Sequence, residues 1–402
     1  VRVVLTTVGS RGDVEPVAGL AAALLEQGAQ VRVCAPPDED VVAVVHRAGA
    51  EHVPLGRSVR SVVAGDRPPT VEDAYRFAAE LVDARFEVLT AAAEGADVLL
   101  ATGLLPAGVR TVAETLGVRY VFAAFAVYGL PSRHFPPGRR PGPPPPADQD
   151  DLRELWRHDT ERVDALYAGP LNRHHARLGL PPVVDVHSHV LGGGPGLLAA
   201  DLVLCPWRRL VEVGLRQTGA WILPDRRPLA EELVDFLDAG EPPVYVGFGS
   251  MGLHGRDDLA EIAVESARAL GRRVVLAGGW AGLTPPDGTG DCLVIGEVNQ
   301  QALFARVAAV VHHGGAGTTT TATRAGVPQV VVPQLADQPS WAERVDDLGV
   351  GVAHPGPAPT VESLTAALRT ALEPTTAQRA RAVGGAIRTD GAHEAARFLL
   401  AG

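Results

Sequence analysis

Twice along the chain a short β-branched, apolar run empties directly into a glycine-rich turn. Val1–Leu5 leads into Gly9-Ser-Arg-Gly12, and Pro243–Val246 leads into Gly247-Phe-Gly-Ser250. A buried strand, a turn with bare backbone and a helix behind it make the first β-to-α junction of a Rossmann-like unit. In the first half, strands are expected at Arg2–Thr6, Val31–Ala35, Asp97–Ala101 and Arg119–Ala123. A helix over Pro16–Gln27 ends at Gly28. In the second half, strands are expected at Val244–Gly247, Val274–Ala277, Cys292–Ile295, Ala309–His312 and Gln329–Pro333. A helix begun near Thr318 ends at Gly326. This alternation predicts an α/β chain with parallel sheets and crossover helices.

At 402 residues, 46% of them hydrophobic, there is apolar material for two cores. One Rossmann-like domain is expected over residues 1–210 and another over 242–385, followed by a helix within 386–402. The stretch 211–241 has neither period and contains Pro224, Pro228 and Gly240, which makes it the expected linker. Pro131–Ala147 is so rich in proline that it cannot continue a helix or a central strand. It reads either as a disordered surface loop or as a mobile loop over an acceptor.

The net charge of −11 argues against non-specific nucleic-acid binding. No lysine occurs, so every basic residue is arginine. A pyridoxal-phosphate Schiff base, a Walker A lysine and a lysine general base are therefore excluded. Any phosphate must be held by local geometry. Cys34, Cys205 and Cys292 are odd in number and widely spaced, which fits reduced thiols in a cytoplasmic protein. No apolar run is long enough to span a membrane.

The most informative run is Val311-His-His-Gly-Gly-Ala-Gly-Thr-Thr-Thr320. A strand ends in two histidines, a glycine turn follows, and hydroxyl residues start a helix. The first-turn amides of a helix carry about half a positive charge and bind anions. Thr318 and Thr319 are placed to cap the helix or donate to phosphate oxygens, and His313 adds a side-chain donor. The arrangement reads as a diphosphate cradle built without lysine. Asp13, directly after the Gly9–Gly12 turn with Ser10 and Arg11, is the expected catalytic base. It could instead cap a helix begun near Glu15–Pro16.

Several separated motifs then carry a resemblance over nearly the whole chain. They are Gly9-Ser-Arg-Gly-Asp-Val-Glu-Pro16, Cys34-Ala-Pro-Pro-Asp38, Gln217-Thr-Gly-Ala-Trp-Ile-Leu-Pro224 and Val244-Tyr-Val-Gly-Phe-Gly-Ser250. Gly296-Glu-Val-Asn-Gln300, His312-His-Gly-Gly-Ala-Gly-Thr318 and Ala336-Asp-Gln338 follow in order. The chain resembles the family 1 glycosyltransferases of GT-B architecture, especially the bacterial enzymes that glycosylate vancomycin-type glycopeptides.

The resemblance implies two Rossmann-like domains facing across a cleft, with the C-terminal helix crossing back to the first. It implies that His313, Gly315, Ala316, Gly317 and Thr318 hold the diphosphate with help from Ser250. Trp280 and the Val298 backbone would frame the nucleoside base. Asp337 and Gln338 would read the donor sugar, and a base would stand in the Ser10–Asp13 loop. Many relatives carry a histidine in that loop; this chain has none, and Asp337 is the alternative base.

The implied reaction is inverting and metal-independent, from a UDP- or TDP-sugar to an aglycone hydroxyl, by a monomer without a cofactor. A macrolide, polyketide, sterol or lipid acceptor, a non-catalytic sugar-nucleotide binder and a sugar epimerase are the alternatives.

Other signals carry less. Asp38-Glu-Asp40 and Asp148-Gln-Asp150 match a metal-binding DxD pattern, but the first opens a helix, where carboxylates are favoured anyway. His174-His175 and His187-Ser-His189 lack a third zinc ligand at sensible spacing. Trp156 and Tyr167 read as core or acceptor-pocket lining. Gly247-Phe-Gly-Ser-Met-Gly252 is a literal dinucleotide motif, yet the next strand ends Leu276-Ala-Gly-Gly-Trp280 without the carboxylate a ribose needs.

Overall fold

The computed structural model describes residues 1–63, 70–127, 129–138, 150–206, 214–249, 258–278 and 290–401. The chain forms two compact units. One comprises Val1–Leu202, Pro206–Leu223 and Arg388–Gly402, and the other Val203–Cys205 and Pro224–Ile387.

The first unit holds a parallel sheet of β1 (Arg2–Val8), β2 (Gln30–Ala35), β3 (Glu51–Pro54), β4 (Val98–Gly103), β5 (Arg119–Ala124), β6 (Gly196–Leu198) and β7 (Leu215–Gln217). Their order is β3-β2-β1-β4-β5-β6-β7. The chain therefore reverses its winding between β1 and β4, where Thr7 pairs with Thr102 and Val8 with Gly103. Such a reversal opens a crevice at the carboxyl ends of the two strands, and the turn beginning at Gly9 lies there.

Helix Arg11–Glu26 covers β1. Its Val14, Val17, Leu20, Ala21 and Leu24 share one core cluster with Val3, Leu5, Val33 and Leu100. At Gly19 a Cβ would stand 2.8 Å from the Leu223 nitrogen, so that helix turn needs glycine for the close approach. Helix Gly391–Leu400 packs against Arg11–Glu26 and buries Ala392, Ala395, Ala396 and Leu399 in the same cluster.

The second unit holds β8 (Val244–Gly247), β9 (Val274–Ala277), β10 (Cys292–Ile295), β11 (Ala309–His312), β12 (Gln329–Val331) and β13 (Gly351–Ala353). The order β10-β9-β8-β11-β12-β13 reverses between β8 and β11, where His312 pairs with Gly247. Both glycine turns singled out in the sequence therefore leave strands at a point of reversal.

The structure departs from the sequence reading in short elements and at one helix start. Strands β3, β6, β7 and β13 are only three or four residues long. β7 and helix Glu231–Asp238 fall inside the stretch expected as linker. The first helix begins at Arg11 instead of Pro16, because Ser10 supplies the cap. Its hydroxyl accepts from the Gly12 amide at 3.3 Å. Pro16 then lies inside the helix, where its missing N–H leaves the Gly12 carbonyl without the usual donor.

Candidate functional site

In the second unit, helix Ala316–Ala325 starts at the carboxyl end of β11. Its N-cap is Gly315, which has no side chain to cap with. The first intrahelical bond runs from the Thr319 amide to the Gly315 carbonyl at 3.0 Å. The amides of Ala316, Gly317 and Thr318 therefore open the helix without a side-chain cap, which is the arrangement that binds an anion. The threonines do not cap as expected. Thr319 is fully buried and its hydroxyl donates back to the Gly315 carbonyl at 2.9 Å. Thr318 is half-buried in the first turn.

The two adjacent histidines do different things. His312, on the strand face that also carries Val310, is fully buried. Desolvation pushes it down to about 3, so it is neutral. His313 stands between two glycines: a Cβ at Gly249 would lie 3.2 Å from its Cε1, and one at Gly315 would lie 2.6 Å from its Nε2. Burial lowers His313 to about 4, and its buried Nδ1 has no hydrogen-bond partner among the described residues. A neutral imidazole with one unmatched nitrogen, clamped beside uncapped amides, is suited to hydrogen bonding rather than to ion pairing. Gly249 extends the β8 turn to this ring. Ser250, the next residue, and Trp280 lie outside the described residues.

The residues expected to read the sugar lie in the same unit. Gly314 links them to the turn, since a Cβ there would meet Val331 Cγ1 at 2.7 Å and the Gln338 carbonyl at 3.1 Å. Asp337 precedes helix Gln338–Asp347, and its Oδ2 accepts from the Trp341 indole N–H at 2.7 Å. Burial raises its pKa, with the indole hydrogen bond opposing. Gln338 Oε1 accepts from the backbone amides of Gln334 and Leu335 at 2.8 and 3.1 Å, so its oxygen faces the protein. Among the described non-glycine residues Ala336 alone has positive φ, +57°. Backbone strain thus sits directly before Asp337.

Val298 is half-buried against the cluster of Tyr245, Val310 and Ala322, which turns its side chain into the core. It also lines a cavity of about 390 Å³ with Leu229, Leu233, Leu293 and Ile295. The next residue, Asn299, accepts from the Ala302 amide and donates to the Asp225 and Arg227 carbonyls, fixing this corner.

In the first unit, Asp13 is the third residue of its helix, whose N-cap is Ser10. The side chain folds over the turn, so that a Cβ at Gly9 would fall 2.0 Å from Asp13 Oδ2. Arg11 bonds Glu15 at 3.3 Å, and Glu15 also takes Arg47 at 3.2 Å. Gly12 is exposed.

Asp38 is engaged elsewhere: it accepts from the Ser58 hydroxyl and from the Val59 and Arg60 amides, at 2.6, 2.8 and 3.0 Å. Its carboxylate caps the neighbouring short helix. Asp148 lies outside the described residues, as do positions 139–147 of the proline-rich loop.

The four histidines of the His174-His175 and His187-Ser-His189 runs also find local partners. His174 meets Asp83 at 2.6 Å and stacks on Phe86. Thr111 Oγ1 lies between His175 Nε2 at 2.9 Å and His189 Nε2 at 3.2 Å. His187 lies 3.2 Å from the Gly129 carbonyl and stacks on Trp156. Trp156 and Tyr167 are buried, and Trp156 donates to the Phe135 carbonyl at 3.0 Å. Sequence reading missed the Trp341–Asp337 bond, although its i, i+4 spacing was visible, and it missed the approach of Gly249 to His313.

Comparison with known proteins places these features. The C-terminal domain model of erythromycin biosynthesis protein CIII-like proteins matches residues 290–394, which span the uncapped helix and Asp337. The glycosyltransferase GtfE of Amycolatopsis orientalis is 52% identical, covering 100% of this chain and 97% of that protein. The vancomycin aglycone glucosyltransferase of the same organism is 50% identical over 99% of this chain and 97% of its own length. Among solved structures, the glycotransferase of kitacinnamycin superposes with a TM-score of 0.75 at 24% identity, covering 100% of this chain and 98% of that one. With this identity over its full length, and with two Rossmann-like units each winding outward from a glycine turn, the chain belongs to the family 1 glycosyltransferases of GT-B fold.

Proposed function

We propose that this glycosyltransferase moves a hexose from a UDP- or TDP-sugar to a hydroxyl of a natural-product aglycone, with a glycopeptide as the acceptor class. The observation that carries the donor half is the helix opened by the uncapped amides of Ala316, Gly317 and Thr318 beside the neutral His313. A diphosphate leaving group gains negative charge as the glycosidic bond breaks, and fixed amide dipoles stabilise that charge without reorganising. No resident cofactor or metal enters this reading. Ser250 adds a donor from the β8 turn, Trp280 and the Val298 backbone frame the base, and Asp337 and Gln338 read sugar hydroxyls.

Asp13 takes the acceptor proton in this reading, and displacement by the acceptor oxygen inverts the anomeric centre. The acceptor class is supported by the likeness to a vancomycin aglycone glucosyltransferase. The match to the erythromycin-type domain model is the reason to keep macrolide aglycones as the second class.

The test is incubation with UDP-glucose and TDP-sugars, with and without glycopeptide and macrolide aglycones, followed by product mass. Addition of one hexose that requires the glycopeptide supports the proposal. Transfer to macrolides alone replaces the acceptor class, and an isomerised donor without acceptor replaces the reaction.

A further inference from the structure

Gly314 is part of the glycine turn, yet its own amide does not face outward. It donates to His312 Nδ1 at 3.1 Å. That bond needs a lone pair on Nδ1, which puts the imidazole proton on Nε2, and Nε2 lies 3.0 Å from Gln329 Oε1. The orientation of Gln329 is set in turn, because its Nε2 donates to Thr323 Oγ1 at 2.9 Å. The Thr323 hydroxyl proton then goes to the Thr319 carbonyl at 2.8 Å, inside the helix that follows the turn. His312, Gln329, Thr319 and Thr323 are each no more than 1% exposed.

We infer that His312, Gln329 and Thr323 form a buried positioning relay that holds the glycine turn in the shape presenting the Ala316–Thr318 amides to the donor diphosphate. This rests on the reading above that those amides hold the diphosphate. The relay ties β11, β12 and helix Ala316–Ala325 to one backbone amide at the reversal, where Gly314 takes φ +89°. It works only with His312 neutral and protonated on Nε2. A second proton on Nδ1 would set two donors against each other and push the Gly314 amide away. Burial holds that proton off. Of the surrounding groups, His313 on the turn adds a like-charge effect, β8 contributes Tyr245 and Gly247, and β12 contributes Gln329. At the far end of helix Ala316–Ala325, Arg324 bonds Gln301.

Gln329→Glu tests the relay. The carboxylate keeps the acceptor for Nε2–H but raises the His312 pKa towards the ordinary histidine range. Calorimetry would measure TDP and thymidine binding to wild type and variant at about pH 8 and about pH 5.5, with nitrogen NMR of His312 at each pH. The expected wild-type spectrum is the neutral Nε2–H tautomer. For the variant, TDP affinity relative to wild type falls about tenfold or more on acidification, while the thymidine ratio stays level.

Gln329→Leu, which removes the acceptor without adding charge, is expected to weaken TDP several-fold at both pH values alike. A wild-type Nδ1–H tautomer, or a Gln329→Glu ratio that does not change with pH, overturns the relay. Wild-type protein that binds thymidine as tightly as TDP overturns the diphosphate reading itself.

Discussion

Gly314 and Gln338 are in backbone contact: a Cβ at position 314 would stand 3.1 Å from the Gln338 carbonyl oxygen. The turn before the uncapped helix and the start of the helix capped by Asp337 are thus spaced by the absence of one side chain. Gly314→Ala would add a methyl against Val331 and Gln338 at a residue with φ +89°. The expected cost is about 1–3 kcal/mol of stability, together with weaker nucleotide binding. Denaturant unfolding and TDP titration check it, and an unchanged midpoint and affinity would contradict the packing.

Asp13→Asn keeps size and removes basicity. If Asp13 takes the acceptor proton, turnover falls about 100-fold or more, with the dissociation constant for UDP or TDP little changed. Near-normal turnover would move the base elsewhere, with Asp337 next in line.

Trp341→Phe removes the indole donor from Asp337, the larger of the two hydrogen bonds that oppose the rise in its pKa. Burial is then opposed only by a backbone hydrogen bond and the pKa climbs further, so the carboxylate form is reached only at higher pH. The acid limb of kcat/KM for the donor sugar is expected to move upward. A superimposable profile would show that the Asp337 charge does not matter to the measured step.

His189, His312 and His313 are all held neutral by burial, at about 4, 3 and 4 against 6.5 for a free histidine. Depressed folded-state values mean that the unfolded chain takes up protons first. Their contribution to stability is complete above the unfolded value and is lost as pH falls towards the folded ones. The melting temperature is expected to decline from about pH 6.5 to about pH 4. A flat curve over that window would rule out the neutral assignment.

Arg85 is 1% exposed, and its guanidinium is held by the carbonyls of Leu104, Leu105 and Ala107. Desolvation lowers it to about 10. Arg85→Met would leave those carbonyls behind β4 without their donors, at an expected cost of about 2–4 kcal/mol in urea unfolding. A loss within about 0.5 kcal/mol would mean that water replaces the guanidinium freely.

How far the sequence could be read depended on what each residue reveals locally. The glycine turns after β1 and β11 were legible because glycine clusters at strand ends have few other uses. The short strands β6 and β7 were not, since three residues carry too little period to stand out. Pro16 drew the helix start towards itself, as proline favours a first turn, whereas the Ser10 cap decided it.

His312 and His313 look alike in a row of letters. Strand alternation separates them, because His312 shares a face with Val310. The bend at Ala336 had no signal, since alanine seldom takes positive φ. Ser250 and Trp280, which the family likeness implied for the site, remain proposals.

The helix Gly391–Leu400 has a consequence for how the molecule is made. Its Ala395 and Ala396 fill the same cluster as Val14 and Val17, so a segment synthesised after the second unit completes the compartment begun before it. Residues 224–387 form the intervening unit and leave the ribosome earlier. The second unit can therefore mature while the face of the helix bearing Asp13 still awaits its cover, which ties the acquisition of an intact first unit to the arrival of a handful of alanines.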